Sequence, residues 1–85
     1  MILHTEQIEP RDGYRLFVRF NNGISGEISL VDELWGEMFE PLKDPVLFAT
    51  ARQDSTMQTV VWGNGADFAP EFLMDLLRKQ SQAVA

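Results

Sequence analysis

Eighty-five residues, 45% of them hydrophobic and including two Trp, one Tyr and six Phe, are enough for one small domain with a modest core, and argue against disorder over most of the length. The absence of cysteine excludes a disulfide framework, a zinc-thiolate centre, an iron–sulfur cluster and a cysteine nucleophile. Thirteen acidic against seven basic side chains give a formal charge of −6, which repels a phosphate backbone and suits either plain solubility or steering toward a basic protein partner.

No run reaches the roughly 20 apolar residues of a membrane span. Met1 to Glu6 lacks the basic region and apolar stretch of a secretory signal, so the expected location is cytoplasmic. Residues 2 to 9 read as a first strand with poor alternation, which suits an edge strand or one bent midway. Pro10-Arg11-Asp12-Gly13 is a turn, since Pro fixes φ and Gly supplies a positive one. Tyr14, Leu16, Val18 and Phe20 share one face of a second strand, with Arg15, Phe17 and Arg19 on the other.

Asn21-Asn22-Gly23 closes a hairpin, for which Asn-Gly predicts a type I′ turn. Ile24, Gly26, Ile28 and Leu30 form the inward face of a third strand, and Arg15 or Arg19 is placed to pair with Glu27. The period then changes. Val31, Leu34, Trp35, Met38 and Phe39 fall on one helical stripe that Ser29 and Asp32 cap, that Gly36 weakens and that Pro41 ends. Asp44-Pro45 opens a second short helix to about Arg52, with Asp44 at the N-cap.

Gln53 to Thr56 is a polar connection, and Met57 to Trp62 a fourth strand. Asn64-Gly65 turns that strand into a brief fifth around Ala66-Asp67-Phe68. Pro70 opens the last helix, buried through Phe72, Leu73, Leu76 and Leu77, with Glu71 and the Arg78-Lys79 pair matched to its dipole. Residues 81–85 are expected to be a disordered tail, since nothing in them demands order.

Catalytic patterns find little support. His4 is the sole histidine, which rules out a two-histidine metal motif. Gly23-Ile24-Ser25-Gly26 lacks the glycine two places after serine that a nucleophile elbow needs. Gly63-Asn64-Gly65 lacks the third glycine of a dinucleotide fingerprint. Asp32, Glu33, Glu37 and Glu40 offer oxygen ligands to a hard cation, yet Glu33, Glu37 and Glu40 also follow the spacing of a solvated helix face. Asp67 is placed to accept hydrogen bonds from free N–H groups of its turn or of the last helix. Trp62, Asn64 and Asp67 together are the candidate binding residues, with core filling the plainer role for Trp62.

Leu34-Trp35-Gly36-Glu37, Phe39-Glu40-Pro41-Leu42, Val61-Trp62, Asn64-Gly65-Ala66-Asp67 and Ala69-Pro70-Glu71 resemble a small bacterial family, domain of unknown function 2442, across roughly residues 2 to 78. Many members of that family place proline where this chain has Gly63. The resemblance implies no catalytic residues. It implies genes often placed beside another short protein, an arrangement similar to toxin–antitoxin pairs, and in some longer relatives a helix-turn-helix region.

The expectation is a single α+β domain over residues 1–80, with a mainly antiparallel sheet (a three-strand meander plus a later hairpin) and short helices packed on one face. Its core is expected from Leu16, Val18, Phe20, Ile28, Leu34, Trp35, Phe39, Leu47, Phe48, Val60, Trp62, Phe72, Leu73 and Leu76. The expected function is a non-catalytic protein-interaction or regulatory module without cofactor or metal, with the antitoxin-like half of a small two-protein system as one form of it. Its partner would be a protein, the product of an adjacent gene being the first candidate, with neither nucleic acid nor membrane bound and self-pairing through an edge strand left open. The competing expectation is a small carboxylate-dependent hydrolase or metal-binding enzyme using the acids near Glu37 and Asp67.

Overall fold

The structure is a computed structural model that describes residues 2–82. At its centre lies β2 (Arg15–Phe20), paired antiparallel on one side with β1 (Thr5–Arg11) and on the other with β3 (Ser25–Ser29). The period-two pattern does what the sequence requires. Leu16, Val18 and Phe20 lose all solvent exposure on one face, beside Ile28 and Leu30. The other face carries the charges: the Arg11 guanidinium lies 5.0 Å from the Phe17 ring centroid, and Arg11 and Arg15 reach Glu27 at 3.0 and 2.8 Å. Arg19 pairs instead with Glu6, at 3.8 Å.

β1 starts three residues later than the sequence suggested and runs on through Pro10 to Arg11, an edge position where a missing N–H is tolerated. Its register shifts between Thr5 and Gln7, so the strand is both an edge and bent. The β2–β3 loop differs from a type I′ turn. Only Gly23 has a positive φ, +86°, and the Phe20 N–H bonds the Ile24 carbonyl at 2.8 Å, which makes a three-residue loop closed by a left-handed glycine.

The expected helix over residues 31 to 39 does not form. A single 3₁₀ turn, Val31–Glu33, gives way to an irregular loop in which Gly36 stands at φ +89°, a conformation that no α-helix contains. Pro41 then lies inside a second 3₁₀ turn, Glu40–Lys43, and does not end a helix. The apolar side chains of the supposed stripe therefore part company. Leu34 is buried and Phe39 half-buried, while Val31, Trp35 and Met38 face water. Trp35, expected in the core, is 72% exposed.

α1 (Pro45–Phe48) is a single turn capped as expected, the Asp44 carboxylate accepting the Val46 N–H at 3.0 Å. The later hairpin is formed by β4 (Arg52–Asp54) and β5 (Thr59–Val61), so its first strand occupies what the sequence presented as a polar connection. Asp54 organises the connecting turn by accepting from the Met57 N–H at 2.7 Å and pairing with Arg52 at 2.8 Å. The hairpin docks beside β1: the Thr5 N–H bonds the Gln58 carbonyl at 3.2 Å, and the Gln53 amide donates to the Thr5 carbonyl at 2.7 Å.

At Asn64-Gly65 the chain reverses tightly, with Gly65 at φ +87° and the Trp62 N–H bonded to the Ala66 carbonyl at 2.9 Å. The return is one bridge, Val61 to Asp67, and not a strand. α2 (Pro70–Gln82) follows and lays Leu73, Met74, Leu76 and Leu77 against the sheet. Gly26 on β3 permits that approach, since a Cβ there would stand 2.7 Å from Leu77 Cδ1. α2 includes Ser81 and Gln82, two residues beyond the expected domain end; the remainder of the expected tail, residues 83–85, lies outside the described residues. No helix among the described residues is long and apolar enough to cross a membrane.

The result is an α+β fold: a three-strand antiparallel sheet, a two-strand hairpin and short helices around one core. Leu30, Leu42, Ala51, Ala66, Met74 and Leu77 complete that core beyond the expected set, whereas Phe39, Leu47 and Phe72 pack only at its margin.

Candidate functional site: an open aromatic groove

A chain of aromatic rings crosses the molecule. Tyr14 meets Phe48 edge-on at 5.5 Å, Phe48 meets Trp62 at 5.9 Å, and Trp62 meets Phe68 edge-on at 5.7 Å. Phe68 then contacts Phe39, stacked at 4.4 Å with planes 4° apart, and Phe72 at 4.8 Å. Such pairs add about 0.5–1.5 kcal/mol each beyond simple burial. The chain is buried at its middle, Phe48 and Trp62, and half-buried at both ends.

Phe39, Phe68 and Phe72 floor an open groove of about 670 Å³, walled by Trp35 and Met38 and flanked by Glu33 and Glu37. Its shape follows from Gly36. The left-handed glycine turns the chain so that Trp35 and Met38, 72% and 46% exposed, stand at the lip while Phe39 folds under them. The Phe39 and Glu40 N–H groups both bond the Gly36 carbonyl, at 3.2 and 2.9 Å, which fixes the loop without a helix.

The three candidate binding residues separate. Trp62 is 1% exposed and its Nε1–H donates to the Phe48 carbonyl at 3.1 Å, so the indole is a core group and presents no surface for a partner. Asn64 holds the turn together. Its side-chain oxygen accepts the Ala66 N–H at 3.1 Å and its amide donates to the Met38 carbonyl at 3.0 Å, tying the tight turn to the groove wall. The Asp67 carboxylate accepts no hydrogen bond among the described residues. Asn64 takes the turn N–H that Asp67 was expected to bind, and Asp67 contributes its backbone bridge to Val61.

Gly63 has a defined part. Its N–H donates to the Thr50 hydroxyl at 2.8 Å, and that hydroxyl donates to the Leu47 carbonyl at 2.6 Å. A proline there would lack the donor.

Among the described residues, no group of three or more His, Asp or Glu side chains is arranged to hold a metal ion. Glu27 is held below the usual carboxylate range, first by its hydrogen bond from Arg11, and Asp54 first by its hydrogen bond from Arg52 and next by that from the Met57 N–H.

A family model described as protein of unknown function (DUF2442) matches residues 6–79. The chain belongs to the DUF2442 family. Comparisons with curated proteins and with solved structures return no significant match. The DUF2442 match spans β1 through most of α2 and so includes every residue of the groove. Helical spacing alone places Trp35 in the core. The signal for the opposite was present: a tryptophan beside Gly36 and set between Glu33 and Glu37 sits in poor company for burial.

Proposed function

We propose that this chain is a non-catalytic protein-interaction module, that it engages its partner through the Trp35 groove, and that it is the regulatory, antitoxin-like half of a small two-protein system. The observation that carries the first two statements is Trp35, 72% exposed above the Phe39–Phe68 stack. Leaving so large an apolar side chain in water forgoes about 2 kcal/mol of burial, and tryptophan is prominent among residues that dominate interface energetics. The resemblance to a family often encoded beside a second short protein supports the two-protein form.

Affinity purification of the tagged chain from its native cell, followed by mass spectrometry, tests the proposal. Wild-type protein is expected to retain a specific partner, with the neighbouring gene's product the first candidate, and Trp35→Ser to lose it. Recovery of no specific partner, or equal recovery by Trp35→Ser, would overturn it.

A further inference from the structure

Resting on the groove as the interaction surface, we infer that its occupant is a basic amphipathic segment of a partner protein. One apolar side chain would seat on the Phe39–Phe68 stack, and flanking Lys or Arg side chains would meet Glu33 and Glu37. The argument is one of charge segregation. Residues 31–42 hold Asp32, Glu33, Glu37 and Glu40 without a single Lys or Arg. Among the described residues, none of these four acids forms an ion pair.

Most of the positive charge is committed elsewhere. Arg11, Arg15 and Arg19 pair with acids on the sheet, Arg52 with Asp54, and Lys79 with Asp75. The groove therefore presents an apolar floor flanked by Glu33 and Glu37, neither of which has a basic partner among the described residues. That pattern favours a cationic partner and speeds its encounter.

Other occupants fit less well. A second copy docked about a two-fold axis would bring the same acids against themselves. Nucleic acid and anionic membranes carry the wrong sign. The groove is also an open trough and not an enclosed cavity, which suits a segment of chain better than a small apolar molecule.

A random peptide library panned on the wild-type protein, with counter-selection on Trp35→Ala, tests this inference. The variant alters an exposed side chain and is expected to fold. Retained peptides are expected to share an aromatic or large aliphatic residue flanked by Lys or Arg. The consensus peptide should shift the backbone amide NMR signals of Gly36, Met38, Phe39, Phe68 and Phe72. Glu33→Gln with Glu37→Gln should weaken it about fivefold. Raising salt from about 50 to about 300 mM should weaken the wild-type complex more than that of the double variant. Trp35-dependent peptides without basic residues, or a double variant that binds undiminished, would overturn the inference and leave the groove as an interaction surface. Absence of any Trp35-dependent peptide, or self-association that Trp35→Ala abolishes, would overturn both.

Discussion

The side-chain amide of Gln80 on α2 stands in for a neighbouring strand at Ser29 on β3: it accepts the Ser29 N–H and donates to the Ser29 carbonyl, both at 2.8 Å. In the β2–β3 ladder, Gly26 and Ile28 turn their backbone groups toward β2, so Ser29 turns its own outward. Gln80 therefore satisfies one end of an exposed sheet edge, a place where unpaired backbone groups invite another chain. Gln80→Ala is expected to lower stability by about 1–2 kcal/mol and to raise concentration-dependent self-association. Urea titration and size-exclusion chromatography over a concentration series check the two effects.

The two tryptophans should respond oppositely to substitution. Trp62→Ala removes a buried ring and its hydrogen bond to the Phe48 carbonyl, with an expected cost of about 3–5 kcal/mol, enough to unfold many domains of this size. Trp35→Ala is expected to change stability by less than about 0.5 kcal/mol. Thermal melts of both variants beside wild type read the contrast, and comparable losses would mean that Trp35 is a structural residue.

Asn64→Ala deletes both the turn contact to Ala66 and the tie to Met38. The expected loss is about 1–2 kcal/mol. Hydrogen exchange should quicken at the Phe39 and Glu40 amides, which secure the groove loop. A variant that loses stability with unchanged exchange there would show that the Met38 tie is dispensable.

Gly63→Pro removes the donor to Thr50 and also places a ring where a Cβ would stand 3.1 Å from the Thr50 hydroxyl oxygen. The lost bond and the crowding together should cost about 1–3 kcal/mol in wild type and less once Thr50 has been changed to Ala. The double-mutant cycle isolates the pair, and equal effects in both backgrounds would show no coupling.

Stability should also fall in acid through Glu27 and Asp54. Both carboxyls titrate lower in the folded protein than in the unfolded chain, where values of about 4.3 and 3.9 apply. Their contribution is therefore complete above those values and is lost as pH drops through the lower folded ones. Urea midpoints between about pH 5 and pH 2.5 should decline, and Glu27→Gln with Asp54→Asn should flatten the decline.

Much of this architecture is written locally. Alternation along Leu16, Val18 and Phe20, the Asp44 cap and the Pro70 helix start are each decided by a few neighbouring residues, and each appears where the sequence places it. β4 is different. Arg52-Gln53-Asp54 has no apolar alternation, and what makes it a strand is pairing with Thr59 to Val61 and the Gln53 contact to the distant Thr5. The groove was hidden for a related reason. Helical spacing over Val31 to Phe39 is shared by a loop that turns only Leu34 and Phe39 of the apolar set inward, and Gly36 decides between them through a φ that spacing does not encode. Trp62 carried two assignments in the sequence, and the Phe48 carbonyl, fourteen positions away, selects the core one.

Placing one indole in water and the other in the core gives the molecule two intrinsic optical probes. A quencher dissolved in the buffer reaches Trp35 long before it reaches Trp62. Blue-edge emission from Trp62 then follows the integrity of the fold, while quenching of Trp35 follows whatever settles on the groove. Docking and unfolding can be separated in a single cuvette, without any attached dye.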